Sequence, residues 1–400
     1  MSGTDERRAT AAGSGTDERR ATAGAGAVRP SRVVVDLDAV RHNVRTLAAS
    51  ADGAEVCAVV KADAYGHGAV PVARAALEAG ATWLGVALVE EGRQLREAGI
   101  DTPILLLSEP PTAGIPALLD ADLSPTVYRP AFLRALEAAA AERDARVAVH
   151  VKADTGMGRV GVRPEGWREV LELVVASPHL EAAGLMTHLA RADEPDVDTT
   201  AQQLASFDGF VTLAAELGVY ARWVHASNTA ATLLHPAAHR TLVRPGIGIY
   251  GLSPDLDVDA VEHGLRPALS LVSEVSYVKR VPAGTPISYG HRFAAPGDGF
   301  VATVPLGYAD GVPRRLTGVG EALLGGVRRP IAGTVTMDQL LVWCGEDEPA
   351  VGDEVVLLGG QGEERIRAEE WAAHLGTITY EVTSQLTSRL PRTYVNERRA

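Results

Sequence analysis

Lysine is almost absent from this sequence. Only Lys61, Lys152 and Lys279 occur in 400 residues, and every other one of the 38 basic residues is an arginine. An arginine guanidinium stays protonated in proteins, whereas a lysine amine can lose its proton and then act as a base or a nucleophile. Lys61, in the stretch VKADAYGHG at 60–68, is therefore a candidate for chemistry and not only for solvation.

Other scarcities argue against whole classes of protein. The net charge of −13 provides no basic face for a nucleic-acid backbone, and no apolar run approaches the roughly 20 residues that span a membrane. The two cysteines, Cys57 and Cys344, indicate neither a disulfide framework nor a CxxC metal site, and no histidine, cysteine and carboxylate residues have metal-ligand spacing. We therefore expect no nucleic-acid partner, no membrane and no metal, and a reducing cytoplasm as the compartment.

The first 29 residues differ from the rest of the chain. The segment SGTDERRATA occurs at 2–11 and again at 14–23, followed by glycine and alanine. Such a polar, low-complexity segment cannot bury enough apolar surface to order itself, and it lacks the apolar core of a secretory signal. Residues 1–29 are therefore predicted to be a disordered, duplicated tail, and residues 396–400 a short second tail.

Apolar, strand-like runs alternate with amphipathic, helix-like stretches from residue 30 to residue 265. The eight runs are EVCAVVKAD (55–63), TWLGVAL (82–88), ILLLSE (104–109), LSPTVY (123–128), RVAVHVKAD (146–154), EAAGLMTHL (181–189), ARWVHASN (221–228) and TLVRPGIGIYG (241–251). Most runs are too apolar to have one wet face, as expected of parallel strands that helices cover. Eight such units predict an α/β fold with a (β/α)8 TIM-type barrel. A doubly wound open sheet is the competing architecture, and the absence of a GxGxxG loop after any early strand disfavours it.

The pattern changes again at about residue 266. Short β-rich pieces separated by proline and glycine turns follow, with few helices between them. Residues 266–395 are therefore predicted to form a C-terminal, mostly β domain. The strand-like run at 33–37 precedes the eight barrel runs, and two placements are open for it: the start of the barrel, or pairing with the β domain.

Polar and glycine residues gather at the C-terminal ends of five barrel runs, where parallel barrels carry their chemistry. They are Lys61, Asp63 and Tyr65; Lys152 and Asp154; Thr187 and His188; His225, Asn228 and Thr229; and Arg244, Gly246 and Gly248. Taken singly, most have an ordinary structural explanation: a core histidine, a turn glycine, or a carboxylate such as Asp154 paired with a cation. Together, an amine, an arginine and backbone N–H groups able to hold a phosphate suggest pyridoxal phosphate bound as a Schiff base.

The sequence closely resembles the alanine racemase family of fold-type III pyridoxal-phosphate enzymes over residues 31–393. The matching motifs are AVVKADAYGHG (58–68), TGMGRVG (155–161), THLA (187–190), RPGIGIYG (244–251), SYGHRF (288–293), PLGYADG (305–311) and TVTMDQ (334–339). The resemblance implies interconversion of L-alanine and D-alanine, with D-alanine supplied for cell-wall peptidoglycan. It also implies a homodimer whose active sites are shared between chains.

The resemblance implies a role for each matching residue. Lys61 would be the Schiff-base lysine and the base for one enantiomer, and Tyr289, supplied by the partner chain, the base for the other. Arg244 would hydrogen-bond the pyridine nitrogen and keep it unprotonated, with His188 orienting it. The remaining assignments are cofactor contacts at Tyr65, Asn228, Thr229, Gly246, Ile247 and Tyr380; substrate contacts at Arg159 and Met337; a carbamylated Lys152 that holds Arg159; and entry-channel residues Tyr308 and Asp338.

Two positions depart from the family pattern, and several alternatives stay open. Thr229 replaces a more usual serine and keeps the hydroxyl, whereas Thr336 replaces a more usual cysteine at the mouth of the substrate site. A fold-type III decarboxylase is disfavoured because an acidic residue would then be expected in place of Arg244. A cofactor-carrier barrel is disfavoured because it would lack the 266–393 segment. A racemase for serine or a bulkier amino acid, and a role in tolerance to an alanine-like inhibitor, remain possible.

Overall fold

A computed structural model describes residues 28–398. Most of the predicted 1–29 tail therefore lies outside the described residues, as do the last two residues of the 396–400 tail. Arg29, at the end of the first tail, belongs to the folded chain, because its guanidinium donates to both carboxylate oxygens of the fully buried Asp310. Asn396 likewise contacts the fold, since its carbonyl oxygen accepts a hydrogen bond from Arg41 at 2.9 Å.

A barrel of eight parallel strands follows one preceding strand, β1 (Arg32–Asp36). The barrel strands are β2 (Glu55–Val59), β3 (Trp83–Val86), β4 (Ile104–Leu106), β5 (Ser124–Val127), β6 (Val147–Lys152), β7 (Leu180–Met186), β8 (Trp223–His225) and β9 (Leu242–Val243). They pair in the order β8-β7-β6-β5-β4-β3-β2-β9, and every pair is parallel. Hydrogen bonds from Thr241 N to Val224 O at 3.1 Å and from Arg244 N to Ser227 O at 3.0 Å link the two ends. The predicted (β/α)8 barrel is confirmed.

Helices surround the barrel and fill the sequence between its strands. They are α1 (Leu37–Ser50), α3 (Ala69–Glu78), α4 (Val89–Glu97), α5 (Ile115–Asp120), α6 (Pro130–Ala141), α7 (Trp167–Ala176), α8 (Thr199–Glu216) and α9 (Thr229–Leu234); the short segment α2 (Lys61–Tyr65) is a left-handed turn. Strands β3 and β4 are buried at every position, as both-face coverage by helices requires. No helix among residues 28–398 has the length and apolar character needed to cross a membrane.

The second half of the chain consists mostly of strands. They are β10 (Leu269–Glu274), β11 (Tyr277–Val281), β12 (Pro286–Ile287), β13 (Phe293–Ala294), β14 (Gly299–Val304), β15 (Glu321–Leu324), β16 (Val327–Pro330), β17 (Leu340–Gly345), β18 (Glu354–Gln361), β19 (Glu364–Ile366) and β20 (Arg392–Val395). Two helices, α10 (Ala368–Leu375) and α11 (Thr379–Ser384), lie between β19 and β20. The larger part of these strands forms a seven-stranded sheet of the order β16-β15-β18-β10-β1-β20, with β19 paired to β18.

Strand β1 lies in the sheet of the second half and not in the barrel. It pairs antiparallel with β10, where Val33 faces Leu271, and parallel with β20, where Val33 faces Arg392. Asp36 then starts α1 by accepting hydrogen bonds from the N–H groups of Asp38 and Ala39. Of the two placements left open for residues 33–37, the structure has the pairing with the β sheet. One continuous apolar cluster runs through both halves of the chain.

Candidate active site

A cavity of about 490 Å³ opens at the C-terminal ends of the barrel strands. All the barrel residues to which the family resemblance assigns a role line it, together with one residue from α11, whereas the strand-end candidates Asp63, Asp154, Thr187, His225 and Gly248 do not. The residues with an assigned role that line it are Lys61, Tyr65, Lys152, Arg159, His188, Asn228, Thr229, Arg244, Gly246, Ile247 and Tyr380. A larger cavity, of about 720 Å³, lies beside α1 and α3 and contains none of these residues. The structure therefore brings these residues together at one cavity, although cavity size alone would point elsewhere.

The cavity is strongly electropositive. Four cationic side chains, Lys61, Lys152, Arg159 and Arg244, line it, and no aspartate or glutamate is among the lining residues. Burial and then the charge of Arg159 lower the pKa of Lys61. Burial, followed by Arg244 and Arg159, lowers the pKa of Lys152 to about 8. A cavity of this charge favours an anionic ligand and increases the neutral fraction of both amines.

Lys61 begins a left-handed turn, residues 61–66, which we call the lysine turn. Ala62, Asp63, Ala64 and Tyr65 have φ values of 52°, 51°, 53° and 53°, a region that residues with a Cβ rarely adopt. Each such residue costs about 1–2 kcal/mol relative to a right-handed conformation. These four residues, ADAY, include no glycine, which would adopt the left-handed conformation without strain. The first glycine, Gly66, is the fifth left-handed residue of the turn. The conformation must therefore be held by contacts.

Arg244 is fixed by buried partners. Its Nη2 donates to the carbonyl oxygens of Thr187 at 2.8 Å and Ala226 at 3.1 Å, and its Nη1 lies 2.8 Å from His225 Nδ1. His188, predicted to orient Arg244, is the more distant neighbour, with Nδ1 at 3.4 Å from Nη2. A guanidinium can only donate, so His225 Nδ1 must be an acceptor.

The acceptor role of His225 Nδ1 also determines the hydrogen bond that its other ring nitrogen makes deeper in the barrel. Its Nε2 must carry the proton and donates to His150 Nδ1 at 2.7 Å. We call this series from Arg244 through His225 to His150 the Arg244 relay. Burial and the charge of Arg244 hold the pKa of His225 well below its ordinary value and that of His150 at about 3, so both imidazoles stay neutral. The relay therefore fixes the guanidinium through neutral groups.

The opposite end of the cavity can accept a phosphate. Thr229 Oγ1 accepts the N–H groups of Gly246 at 3.0 Å and Gly248 at 3.2 Å, and Asn228 Oδ1 caps α9 by accepting from Ala231 N. The backbone approaches Tyr65 closely, because a Cβ added at Gly246 would lie 2.5 Å from the Tyr65 hydroxyl. Burial raises the pKa of Tyr65 and of Tyr380, so both phenols keep their protons and can donate to an anion.

The loop after β6 differs from the expectation for Asp154. Asp154 was predicted to pair with a cation, but no ion pair of its carboxylate is found in the part of the chain that the structure describes. Its Oδ1 accepts the N–H groups of Gly156 at 3.1 Å and Gly158 at 3.0 Å. Asp154 therefore shapes the glycine-rich loop that carries Arg159, and Arg159 projects from it with an exposed side chain.

The remaining candidate residues lie away from this cavity. Tyr289 is 74% exposed and lines a separate surface cavity of about 410 Å³ with Ser288, His291 and Thr336. Met337 and Tyr308 are exposed, and Asp338 pairs with Arg389 at 2.8 Å. Lys61 and Tyr289 therefore line different cavities of the same chain.

The backbone at Tyr289 is strained as well. Ser288, which precedes it, has a φ of 63° and a ψ of −178°, a combination almost restricted to glycine. Ser288 Oγ donates to Thr334 O at 2.7 Å, and Thr334 Oγ1 donates to Tyr289 O at 2.7 Å. These two bonds hold the backbone that carries the exposed Tyr289 side chain.

Two elements of the site were not predicted from the sequence. One is the role of His225 and His150 in the Arg244 relay, for which the only signal was the position of His225 at a strand end. The other is Glu91 of α4, whose carboxylate accepts the Ala62 N–H of the lysine turn at 2.6 Å. Nothing in the local sequence distinguishes Glu91 from Glu90.

The residues present fit pyridoxal phosphate. The half-buried amine of Lys61 lines a cavity without carboxylates, so an anionic ligand with a carbonyl group could reach it without charge repulsion. The contact between Gly246 and Tyr65 leaves no room for a Cβ and brings the Tyr65 hydroxyl, a donor to a phosphate, against the backbone. Arg244 offers a permanent donor to a ring nitrogen. These features account for three distinct parts of the cofactor.

The comparisons with known proteins agree over nearly the whole chain. The family model for the N-terminal domain of alanine racemase matches residues 35–254, and the model for the C-terminal domain matches residues 268–394. A curated alanine racemase from Frankia casuarinae is 45% identical over 370 residues, covering 91% of this chain and 96% of the relative.

Solved structures give the same result. The crystal structure of alanine racemase from D-cycloserine-producing Streptomyces lavendulae has a TM-score of 0.89 and 40% identity, covering 92% of this chain and 98% of that one. Alanine racemase from Bacillus anthracis with bound L-Ala-P has a TM-score of 0.84 and 38% identity, covering 94% and 97%. This chain therefore belongs to the alanine racemase family and is an isomerase.

Proposed function

We propose that this enzyme interconverts L-alanine and D-alanine with pyridoxal phosphate and two bases, in the cytoplasm, and thereby supplies D-alanine for peptidoglycan. The observation that carries the proposal is the electropositive cavity that is lined both by the Lys61 amine, with its lowered pKa, and by the Arg244 guanidinium, which buried hydrogen bonds hold in place. The family membership supports alanine as the substrate.

Each end of the cavity would hold one part of the cofactor. Lys61 would bind it through the amine, and Arg244 would donate to the ring nitrogen. The hydroxyls of Tyr65, Thr229 and Tyr380, with the backbone at Ile247, would bind the phosphate. The chemistry that the cofactor supplies when bound is acidification of the Cα–H bond of the amino acid. Arg159, exposed at the cavity and cationic, would bind the substrate carboxylate, together with the backbone at Met337.

Lys61 would move the proton on one face of the substrate. Its amine is half-buried among cations, which lowers its pKa and increases the fraction that can accept a proton near neutral pH. Arg244 would keep its own proton, because a guanidinium remains charged even when fully buried. The Arg244 relay would hold that donor in one orientation during turnover.

The second base would come from a partner chain. Racemisation requires a group on each face of the substrate, and the cavity of one chain holds Lys61 but not Tyr289. We propose that residues 266–395 of one chain present Tyr289, and with it Met337, Tyr308 and Asp338, to the cavity in residues 30–265 of another chain. Because homodimers are symmetric, both sites would be completed at once.

A subunit-mixing experiment tests this proposal. Lys61→Ala and Tyr289→Phe are expected to lose at least about 100-fold in racemisation rate as separate homodimers, as expected when a general base is lost. Unfolding and refolding them together in equal amounts should restore about one quarter of wild-type activity. Half of the dimers would be mixed, and one of the two sites in each mixed dimer would have both bases.

Tyr277→Phe is the matched control, because Tyr277 is also an exposed tyrosine of the second half. It should leave activity unchanged, with alanine, serine and a bulkier amino acid assayed in parallel. Normal racemisation by Tyr289→Phe homodimers would refute the two-base proposal. Mixed dimers that form but stay inactive would refute the shared site.

A further inference from the structure

We propose that Glu91 is a positioning residue that holds the lysine turn, and through it the Lys61 amine, in the cavity. This inference rests on the proposed function only for the role of Lys61. The contact between Glu91 and the backbone of the lysine turn does not depend on the reaction, and its effect on backbone exchange can be measured without any assay of racemisation.

One backbone hydrogen bond, from Ala64 N to Val60 O at 2.8 Å, spans the start of the lysine turn, and it leaves the Ala62 N–H to a partner outside the turn. Within the turn, Gly66 N donates to the carbonyl oxygens of Ala62 and Asp63, both at 3.1 Å, and these bonds secure its end. Arg392 of β20 also contacts that end, with Nε donating to Gly66 O at 3.2 Å. The Ala62 N–H, directly after Lys61, points outward from the turn and needs an acceptor from elsewhere.

Glu91 supplies that acceptor. Its Oε1 accepts the Ala62 N–H at 2.6 Å, while its Oε2 accepts the N–H groups of Ala87 at 2.8 Å and Leu88 at 3.1 Å. One carboxylate therefore ties the residue after Lys61 to the segment between β3 and α4. Both oxygens are used, so an amide side chain, which has a single acceptor oxygen, cannot replace it.

A simpler explanation is that Glu91 only caps α4. A glutamate in the first turn of a helix commonly accepts the N–H just before the helix, and the bond from Leu88 N has this form. Leu88 has no polar side chain, so the reciprocal half of a capping box is absent. The bond to Ala62 lies outside α4 altogether, and a cap has no need for it.

The negative charge of Glu91 also affects the pKa of the Lys61 amine. Glu91 raises the pKa of Lys61, in opposition to burial and Arg159, which lower it. The other charged groups that act on the amine, Arg159 and the more distant Lys152, are cationic. Removing the carboxylate should therefore lower the pKa of Lys61 further, and hydrogen exchange at residues 61–65 separates the hold on the backbone from this charge effect.

Glu91→Gln tests the inference, with Glu90→Gln as the matched control. Glu90 is the preceding residue of α4, is exposed, and carries the same charge. Hydrogen–deuterium exchange of the holoenzyme should show at least tenfold faster exchange at residues 61–65 in Glu91→Gln and no change in Glu90→Gln. The acid limb of the kcat/KM profile should move to lower pH in Glu91→Gln only.

Equal exchange at residues 61–65 in the two variants would overturn the inference. If Glu91→Gln does not fold, the double variant Ala62→Gly/Glu91→Gln tests the inference instead. Glycine adopts the left-handed conformation without strain, and Ala62 is exposed, so the second substitution removes no packing. Recovery of folded protein would support the role of Glu91, and no recovery would refute it. A wild-type enzyme inactive on alanine would refute the proposed function and leave the exchange result standing.

Discussion

Replacing Lys152 by methionine should stabilise the enzyme in buffer free of carbon dioxide. Lys152 is only 4% exposed, and its pKa falls from 10.5 to about 8 because of burial and the charges of Arg244 and Arg159. The folded state therefore binds its proton more weakly than the unfolded state does. The cost is fully present below about pH 8 and disappears as the pH rises through 10.5.

The size of the effect follows from the two pKa values. At pH 7 the buried ammonium costs about 3 kcal/mol, and at pH 9.5 about 1.5 kcal/mol. Methionine fills a similar volume without charge. The gain in Tm of Lys152→Met should therefore be larger at pH 7 than at pH 9.5, by roughly 2 °C for a folded chain of this size.

Differential scanning calorimetry at the two pH values measures this difference. Lys279→Met is the control, because Lys279 is exposed on β11 and its replacement should change Tm equally at both. Added bicarbonate should reduce the gain at pH 7, since a carbamate on Lys152 would be an anion among cations, and intact mass under mild conditions would show the added carboxylate. A gain that does not depend on pH would refute the buried-ammonium argument.

Three further predictions concern other contacts of the site and the fold. Gly246→Ala should raise the Kd of the apoenzyme for pyridoxal phosphate at least tenfold, about 1.4 kcal/mol, in an absorbance titration, because its Cβ would lie 2.5 Å from the Tyr65 hydroxyl. Arg29→Ala should lower the Tm at pH 7, at a cost of about 3 kcal/mol, because Asp310 stays buried with less charge compensation; the loss should shrink as Asp310 protonates in acid. His150→Phe should cost about 1–3 kcal/mol in urea unfolding, whereas His150→Gln should cost less, because phenylalanine leaves an N–H of the Arg244 relay without an acceptor.

The barrel and its cavity were predictable because their signals are local. Strands such as β3 and β4 are buried on both faces and therefore read as continuous apolar runs. Once eight parallel strands are identified, the barrel topology itself brings their C-terminal ends to one face, so Lys61, Lys152 and Arg244 had to converge.

The lysine turn and Glu91 were not predictable from the sequence. Ala62 and Ala64 favour right-handed conformations, so no local signal announces four left-handed residues in succession. The contact of Glu91 with Ala62 spans 29 positions and depends on how two barrel units sit beside each other. The same applies to Asp154, whose carboxylate could be paired with a cation from sequence alone but accepts backbone N–H groups in the structure.

The position of β1 has a consequence for synthesis on the ribosome. Strand β1 needs β10 on one side and β20 on the other, yet β20 begins at Arg392, near the end of the chain. At about 5–20 residues per second, the first strand waits roughly 20–70 s for its last neighbour. During that interval its unpaired edge can meet other nascent chains. A chain that stops after the barrel would never cover that edge, so the two halves are expected to mature together and not as independent folding units.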